Sequence, residues 1–253
     1  MKRLDQALVE WGLAPSRNKA QQLIDAGEVE IFSGGGWTVV KQSSRSVDDG
    51  TQVRVSENSR TLKYVSRGGL KLESALAHLR LDVNGWRCLD LGLSTGGFTD
   101  CLFQHGASAV CGIDVGHDQL ESRLRSESRL TAFEGVNVKD LAAHEGVGVW
   151  LKGGVDLCVA DLSFISLLSV LPRIAGVLPK GTRCLVLLKP QFEVGPGGLD
   201  KGGLVRDPGL HQETLGRALR EFGKCGFSVQ ADFPSEVKGQ DGNQEYFIYA
   251  CRG

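Results

Sequence analysis

Apolar residues near the start of the chain recur first at helical spacing and then in alternation. Leu4 and Leu8 lie on one face of a first predicted helix. Ser16 is a favourable N-cap for a second helix, which Gly27 ends. A strand of alternating apolar and polar residues follows, and two more predicted strands lie at 39–40 and 52–55. The pattern predicts a small α+β unit at this end of the chain.

Beyond residue 66, apolar runs of strand length alternate with helical segments. The predicted strands are 86–91, 109–114, 155–161, 182–189, 227–233 and 246–251. Amphipathic helices accompany them, with examples at 72–79 and 208–224. Strand and helix in alternation favour a parallel sheet with helices on both faces. We therefore predict an α/β fold for this part of the chain.

Length and composition fit two domains of ordinary globular character. The 253 residues suffice for one well-packed core and a small accessory domain. Because the segment 56–66 is polar, we predict a first domain at 1–59, a linker at 60–66 and a second domain at 67–253. The net charge of −1 gives no global basic signature, so any surface that binds nucleic acid must be local.

The seven cysteines predict neither a zinc site nor a disulfide framework. None of them forms a C-x-x-C pair, and we expect no metal. An odd number of cysteines, mostly within apolar runs, is typical of a protein from the reducing cytoplasm. The sequence shows neither a secretory signal pattern nor an apolar run long enough to span a membrane. We therefore expect a cytoplasmic protein that does not act on membranes.

A glycine-rich turn at 89–100 follows the first strand of the predicted sheet. Such a turn, leading into a helix N-terminus, is typical of a nucleotide-binding corner. The dinucleotide pattern needs glycine where Ser94 stands, and the phosphate-loop pattern needs lysine where Phe98 stands. A second strand ends at Asp114, a candidate acceptor for a pair of ribose hydroxyls. The turn resembles the S-adenosylmethionine corner of Rossmann-like methyltransferases.

That resemblance implies a set of cofactor-binding residues. The backbone of 92–97 would approach the methionine part of the cofactor. Asp90 would order the turn or contact the ammonium group, and Asp140 would lie by the adenine or cap a helix. The full predicted set is Asp90, Gly92, Ser94, Thr95, Gly96, Gly97, Phe98, Asp114 and Asp140.

Charged residues end several of the predicted strands. Ligands bind at the carboxyl ends of the strands in an open α/β sheet, where Asp161 and Lys189 are placed. A buried lysine needs a carboxylate partner, and Asp161 is a suitable one. A purely structural ion pair remains an alternative to a catalytic one.

Four residues, Lys71, Asp161, Lys189 and Glu245, resemble the catalytic tetrad of FtsJ-like ribose 2′-O-methyltransferases. The [Asp/Asn]-Pro-Pro-aromatic loop of enzymes that methylate base amino groups does not occur after residue 161. Further motifs resemble the TlyA (haemolysin A) family along nearly the whole chain; they are 66–72, 90–100, 161–166, 189–193, 202–206 and 242–245.

The family resemblance implies a fold and an activity. The fold would be a Rossmann-like, mainly parallel seven-stranded sheet with a small N-terminal S4 RNA-binding domain. The activity would be transfer of a methyl group from S-adenosylmethionine to the 2′-hydroxyl of cytidines in ribosomal RNA. The chain begins almost directly at Arg3, and in this family the short form is associated with the large-subunit RNA. Lys189 would act as a base or orient the hydroxyl, while Lys71 and Glu245 would steer the ribose.

The start of the chain resembles the S4 RNA-binding domain in its residue motifs and in their spacing. The resemblance implies phosphate contacts by Arg3, Arg17 and Lys19, with Arg67 as a further candidate. Each of these cations could instead only solvate a helix face. The expected partner is ribosomal RNA or a ribosomal subunit, and the sequence predicts no oligomeric state. Alternatives are a non-catalytic RNA-binding assembly factor and, ranked lower, a membrane-active haemolysin.

Overall fold

A computed structural model describes residues 1–239 and 241–253, and the chain divides into two compact units, Met1–Arg67 and Gly68–Gly253. Among these residues, no helix combines the length and apolar character that a membrane crossing needs. Nor do three or more His, Cys, Asp or Glu side chains in the described ranges cluster so as to hold a metal ion.

The N-terminal unit packs two helices against small antiparallel sheets. Its elements are β1 (Lys2–Arg3), α1 (Leu4–Glu10), α2 (Arg17–Asp25), β2 (Val29–Ser33), β3 (Gly36–Val39), β4 (Ser46–Val47), β5 (Val53–Val55) and α3 (Arg60–Lys63). β2 lies between β3 and β5, and β1 pairs with β4. Ser16 caps α2 by accepting a hydrogen bond from the Lys19 N–H. Leu4, Leu8 and Leu23 are fully buried in the core of this unit.

The C-terminal unit is an α/β domain built on a seven-stranded sheet. Its helices are α4 (Arg67–Leu79), α5 (Gly97–Gln104), α6 (Ser122–Arg125), α7 (Glu145–Leu151), α8 (Leu167–Val177) and α9 (Pro208–Lys224). Its strands are β6 (Arg87–Leu91), β7 (Ala109–Ile113), β8 (Leu130–Phe133), β9 (Leu157–Ala160), β10 (Arg183–Leu188), β11 (Phe227–Pro234) and β12 (Tyr246–Arg252). The strand order is β11-β12-β10-β9-β6-β7-β8, and only β12 runs antiparallel to its neighbours. The predicted fold class is thus confirmed.

Strand β8 is the sheet strand that the sequence pattern did not predict. It lies at the edge of the sheet, and its residues are half-buried or exposed. An edge strand of this kind needs no continuous apolar run, so it leaves no clear signal in the sequence.

Strand register brings the predicted site residues to one edge of the sheet. Leu91 pairs with Ala160, which places Gly92 next to Asp161. Leu188 pairs with Tyr246, so Lys189 leaves β10 where Glu245 enters β12. Loops from four strands therefore meet where ligands bind in this class of fold.

Candidate active site

The turn after β6 has a backbone that only certain residues can adopt. Gly92 has φ +91°, and a Cβ there would lie 2.7 Å from the carbonyl oxygen of Asp161. Ser94 also has a positive φ, 46°, which is uncommon for a residue with a side chain. Its backbone N–H donates to Asp114 Oδ2 at 2.7 Å, and the Gly116 N–H donates to Oδ1 at 2.7 Å. Asp114 thus ties the turn after β6 to the end of β7.

A cavity of about 590 Å³ opens beside this turn. It is lined by Gly92, Ser94, Ile113, Asp114, Val115, Gly116, Gln119, Val136, Asn137, Val138, Lys139, Asp161, Leu162, Ser163, Phe164 and Ile165. The volume is within the range of small-molecule sites, and the lining combines apolar side chains with a few polar groups. Three of the predicted cofactor residues, Gly92, Ser94 and Asp114, line this cavity.

Other predicted cofactor residues lie outside the lining and pack within the domain. Phe98 is buried in α5, so it is part of the core. Gly96 packs against Leu124, and a Cβ at that glycine would clash with this leucine. Thr95 offers its carbonyl to the Glu121 N–H at 3.3 Å, and Gly97 begins α5. In the structure these four residues shape the turn, and their contact with the cofactor stays a prediction.

Asp140 does not cap the helical turn at 138–143, which was one of the two roles predicted for it. Asn137 is the cap, and its side chain accepts from the Lys139 N–H at 3.0 Å. Asn137 also lines the cavity, whereas Asp140 is exposed and lies outside the lining. The contact of Asp140 with the adenine stays a prediction.

Asp90 is completely buried at the end of β6. Thr99 of α5 donates to its Oδ2 at 2.7 Å, whereas its Oδ1 has no hydrogen-bond partner among the described residues. Burial raises the pKa of the Asp90 carboxyl to about 7, because water no longer stabilises the charged form. The bond to Thr99 shows that Asp90 orders the junction between turn and helix.

Lys189 and Asp161 form an ion pair at the rim of the cavity. Lys189 Nζ lies 2.7 Å from Asp161 Oδ1 and donates to Ser163 Oγ at 2.7 Å. The Lys189 side chain is 9% exposed and that of Asp161 is 20% exposed. The lysine is thus nearly buried, while its carboxylate partner lines the cavity.

Lys71 and Glu245 form a second ion pair. Lys71, on α4, donates from Nζ to Glu245 Oε2 at 2.6 Å. The two side chains are 10% and 2% exposed. Because Glu245 and Lys189 flank the paired residues Tyr246 and Leu188, both ion pairs belong to the same edge of the sheet.

The loop after β9 contains two residues, Ser163 and Phe164, for which the sequence motif at 161–166 predicted no individual role. Ser163 contacts Lys189, as described above. Phe164 has φ +61°, is 92% exposed, and lies with its ring centroid 5.5 Å from that of Phe192. An exposed aromatic in a strained backbone conformation is a signal that only the structure supplies.

In the N-terminal unit, a buried carboxylate organises two of the predicted RNA-binding arginines. Arg3 Nε and Arg17 Nε each lie 3.0 Å from a carboxylate oxygen of Asp5, which also accepts from Gln21. Hydrogen bonds from Arg3 above all hold the pKa of Asp5 well below its usual range. The sequence analysis did not assign Asp5 this role.

Lys19 does not present its charge to solvent. It is buried, and its Nζ donates to the carbonyl oxygens of Tyr64 and Val65 at 2.9 and 3.4 Å. The predicted phosphate contact is therefore corrected to a structural one. Arg67, the remaining candidate, is exposed at the first residue of α4.

Comparison with known proteins adds family evidence to this geometry. The model of the FtsJ-like methyltransferase family matches residues 64–252, and that of the S4 domain matches residues 2–53. The chain is 42% identical over 247 residues to the 16S/23S rRNA (cytidine-2′-O)-methyltransferase TlyA of Mycobacterium tuberculosis, covering 98% of this chain and 88% of the relative. It is 38% identical to Hemolysin A of Brachyspira hyodysenteriae, covering 98% of both chains.

A solved structure agrees with this pattern. A protein described as a candidate hemolysin of Streptococcus thermophilus is 35% identical, with a TM-score of 0.74, and the match covers 99% of this chain and 88% of the other. Fold, ion pairs and motifs thus define an S4-domain protein with an FtsJ-like methyltransferase domain. The chain belongs to the TlyA (haemolysin A) family. Its predicted cofactor, S-adenosylmethionine, is confirmed with the family.

Proposed function

We propose that this chain methylates the 2′-hydroxyl of a cytidine ribose in ribosomal RNA. The observation that carries the proposal is the Lys189–Asp161 ion pair, 2.7 Å across, at the rim of the cofactor cavity. The Mycobacterium tuberculosis relative is named for this reaction. The other members of the predicted tetrad, Lys71 and Glu245, form their own pair at the same sheet edge.

The cavity fits S-adenosylmethionine in size and chemistry. Asp114 offers carboxylate oxygens to ribose hydroxyls, and the side-chain-free edge of Gly92 permits close approach of a ligand. Ile113, Val115 and Val138 supply apolar surface for a planar base. Bound S-adenosylmethionine supplies an electrophilic methyl group, so the chain has to align a poor nucleophile and remove its proton.

Alignment falls to the Lys189–Asp161 pair. Lys189 forms an ion pair with Asp161 and donates a hydrogen bond to Ser163, and we propose that it also donates to the ribose hydroxyl oxygen and stabilises negative charge there. Asp161 holds the Lys189 ammonium group in place, and its carboxylate is available to accept the proton of the ribose 2′-hydroxyl. Correct alignment alone contributes roughly 7–11 kcal/mol in favourable intramolecular reactions.

Lys71 and Glu245 would steer the ribose toward this pair. Both side chains are almost fully buried, and the hydrogen bond between them is short at 2.6 Å. A buried lysine and carboxylate without each other would each carry a large desolvation penalty. The pair therefore gives the network a fixed geometry as well as charge.

The RNA would contact the N-terminal unit through its exposed arginines. Arg3 and Arg17 keep 41% and 52% of their side chains exposed while Asp5 holds them in place. Two arginines on one carboxylate leave a net positive charge for phosphate oxygens. Arg67 is a third candidate, whereas Lys19 is not proposed as an RNA contact.

Large-subunit RNA occurs in the names of both relatives that are called rRNA (cytidine-2′-O)-methyltransferases. The Mycobacterium tuberculosis relative is named for 16S and 23S RNA, and that of Campylobacter jejuni, 33% identical over 191 residues, for 23S RNA alone. The Campylobacter match covers 74% of this chain and 70% of the relative. We therefore propose large-subunit RNA as the main substrate.

Methylation of isolated ribosomal subunits tests the function. Purified protein and labelled S-adenosylmethionine are incubated with unmodified large and small subunits, and ribose methylation is mapped on both RNAs. We expect one methylated cytidine in the large-subunit RNA. RNA binding and cofactor binding without any transfer would support an assembly factor instead. Equal transfer to both subunits would retain the enzyme but contradict the preference.

A further inference from the structure

Glu193 is a buried carboxylate that the mechanism above does not use. Its side chain is 2% exposed, and burial raises the pKa of its carboxyl. Its nearest cation, Arg217, keeps its NH2 group 4.0 Å from Glu193 Oε2 and instead donates to the Glu193 backbone carbonyl at 2.7 Å. A carboxylate buried in this way is unfavourable unless its hydrogen bonds compensate.

Among the described residues, the donors to the Glu193 carboxylate all lie at the start of α8. Ser166 Oγ donates to Oε2 at 2.7 Å, and the Leu167 N–H donates to Oε1 at 2.6 Å. Ser166 is itself the N-cap of α8, since its Oγ accepts from the Ser169 N–H at 3.1 Å. The helix thus already has a cap, and Glu193 fastens that cap to another part of the chain.

The part of the chain that it fastens begins with Lys189. A tight helical turn joins Lys189 to Glu193. In this turn the Phe192 N–H donates to the Lys189 carbonyl at 2.9 Å, and the Glu193 N–H donates to the Pro190 carbonyl at 2.9 Å. On the other side, Ser166 ends the loop that starts at Asp161. The bonds of Glu193 therefore join the far ends of the two segments that carry the ion pair.

The near ends of the same two segments are joined by the sheet. Val186 of β10 pairs with Ala160, the last residue of β9, and β10 ends two residues later at Leu188. A closed frame results, with strand pairing on one side, Glu193 on the other, and the Lys189–Asp161 pair between them. The frame also includes Phe164, whose left-handed φ is strained and persists only where the surrounding structure imposes it.

We propose that Glu193 is a positioning residue for methyl transfer, which holds the loop 161–166 against the Lys189 turn and so sets the geometry of Lys189, Asp161 and Ser163. This inference rests on the proposed function, because it assigns those residues to the reaction. A displacement of about 1 Å in a reacting constellation can lower a rate by roughly 100-fold. Loop 161–166 also lines the cavity, but the cofactor contacts proposed for Gly92 and Asp114 lie on other loops. Cofactor affinity is therefore expected to change far less than the rate of methyl transfer.

The test compares three variants of the full chain in steady-state methylation and in calorimetric titration with S-adenosylmethionine. Glu193→Gln keeps the shape of the side chain but removes an acceptor oxygen. We expect kcat to fall roughly 10–100-fold while the Kd for S-adenosylmethionine stays within about twofold. Ser166→Ala, which removes only one bond of the frame, is expected to lower kcat several-fold and serves if Glu193→Gln does not fold.

Thr182→Val is the matched structural control. Thr182 is a buried polar residue at the opposite end of β10, and its Oγ1 donates to the Val155 carbonyl at 3.1 Å. We expect this variant to lose thermal stability but to keep its kcat below its melting temperature. Unchanged kcat in Glu193→Gln would overturn the inference, and so would an equal loss of kcat in Thr182→Val.

A Lys189→Ala arm separates this inference from the proposed function. If Lys189→Ala is inactive and Glu193→Gln is fully active, only the positioning role fails. If Lys189→Ala keeps wild-type activity, the catalytic assignment fails and the inference fails with it.

Discussion

The predicted sites of the two units pair lysine or arginine with carboxylates in different ways. In the N-terminal unit the carboxylate of Asp5 is fully buried, and its arginine partners are about half exposed. At the site of the C-terminal unit the cations are buried as well, with the side chains of Lys71 and Lys189 at most 10% exposed. A charge that faces water can meet another macromolecule, whereas a buried charge can only act on a group brought to it.

This difference agrees with the chemistry proposed for each unit. Exposed guanidinium groups suit the phosphates of RNA, which offer negative charge over a wide area. A buried ammonium fixed by a carboxylate suits one hydroxyl that must be held in a defined position. The residue Lys19 sharpens the contrast, because it is a buried lysine in the N-terminal unit whose Nζ donates to the backbone carbonyls of Tyr64 and Val65.

The largest expected effect is the loss of methyl transfer in Lys189→Ala. Removing a group that handles a proton or its charge lowers a rate by roughly 100- to 10 000-fold. The cofactor should still bind, since Lys189 is not part of the cavity lining. Single-turnover methylation and calorimetric titration measure the two properties separately.

An exposed lysine provides the comparison for that variant. Lys180 is exposed before β10, and Lys180→Ala should keep full activity. Parallel loss of transfer and of cofactor binding in Lys189→Ala would assign Lys189 to the cofactor site rather than to alignment.

The next effect is on RNA affinity. The double variant Arg3→Ala and Arg17→Ala should bind RNA more weakly at every salt concentration. If each arginine meets one phosphate, the plot of log K against log salt concentration becomes less steep by about 2 in total. Lys19→Met should leave that slope unchanged while lowering thermal stability. An altered slope in Lys19→Met would show that the Lys19 side chain does contact an RNA phosphate.

A smaller effect concerns stability and pH at Asp90. Its pKa is raised from 3.8 to about 7 in the folded chain, so the folded state binds the extra proton and stability falls as the pH rises between these values. At pH 8 the penalty is complete and amounts to at most about 4 kcal/mol. Asp90→Asn should therefore raise the melting temperature more at pH 8 than at pH 5. Equal differences at both pH values would contradict the raised pKa.

The smallest expected effect is the acid response of the N-terminal unit. The pKa of Asp5 is lowered in the folded state, so its stabilising effect is complete above about pH 4, near the ordinary value, and is lost as the pH falls further. In Asp5→Asn this dependence should disappear. Pepsin cleavage within residues 1–67 at several pH values between 2 and 5 compares the variant with the wild type. A constant ratio of the two cleavage rates would argue against the assignment.

The sequence predicted those features that depend on chain order and burial. The strands that end in Asp114, Asp161 and Lys189 were predicted because apolar runs before a charged residue are visible in one dimension. The lysine–carboxylate pairing of Lys189 with Asp161 followed from the unfavourable burial of a lone lysine. The N-cap at Ser16 followed from local chemistry alone.

Other features depend on which way a side chain points, and no pattern records that. Phe98 and Gly96 lie in the same glycine-rich turn as Gly92, yet they face the core and not the cavity. Asp140 was the cap predicted from the sequence, whereas the backbone geometry gives that role to Asn137. The same holds for Lys19, because its long side chain could reach either water or a carbonyl.

The pairing of Leu188 with Tyr246 has a consequence for how the site is completed. Strand β12 lies between β10 and β11, so β11 has no partner strand and one edge of β10 stays open until this late segment inserts between them. A slip of a single residue during that insertion would turn every β12 side chain to the opposite face of the sheet and withdraw Glu245 from Lys71. The catalytic site would then be completed in the same step in which β12 completes the sheet.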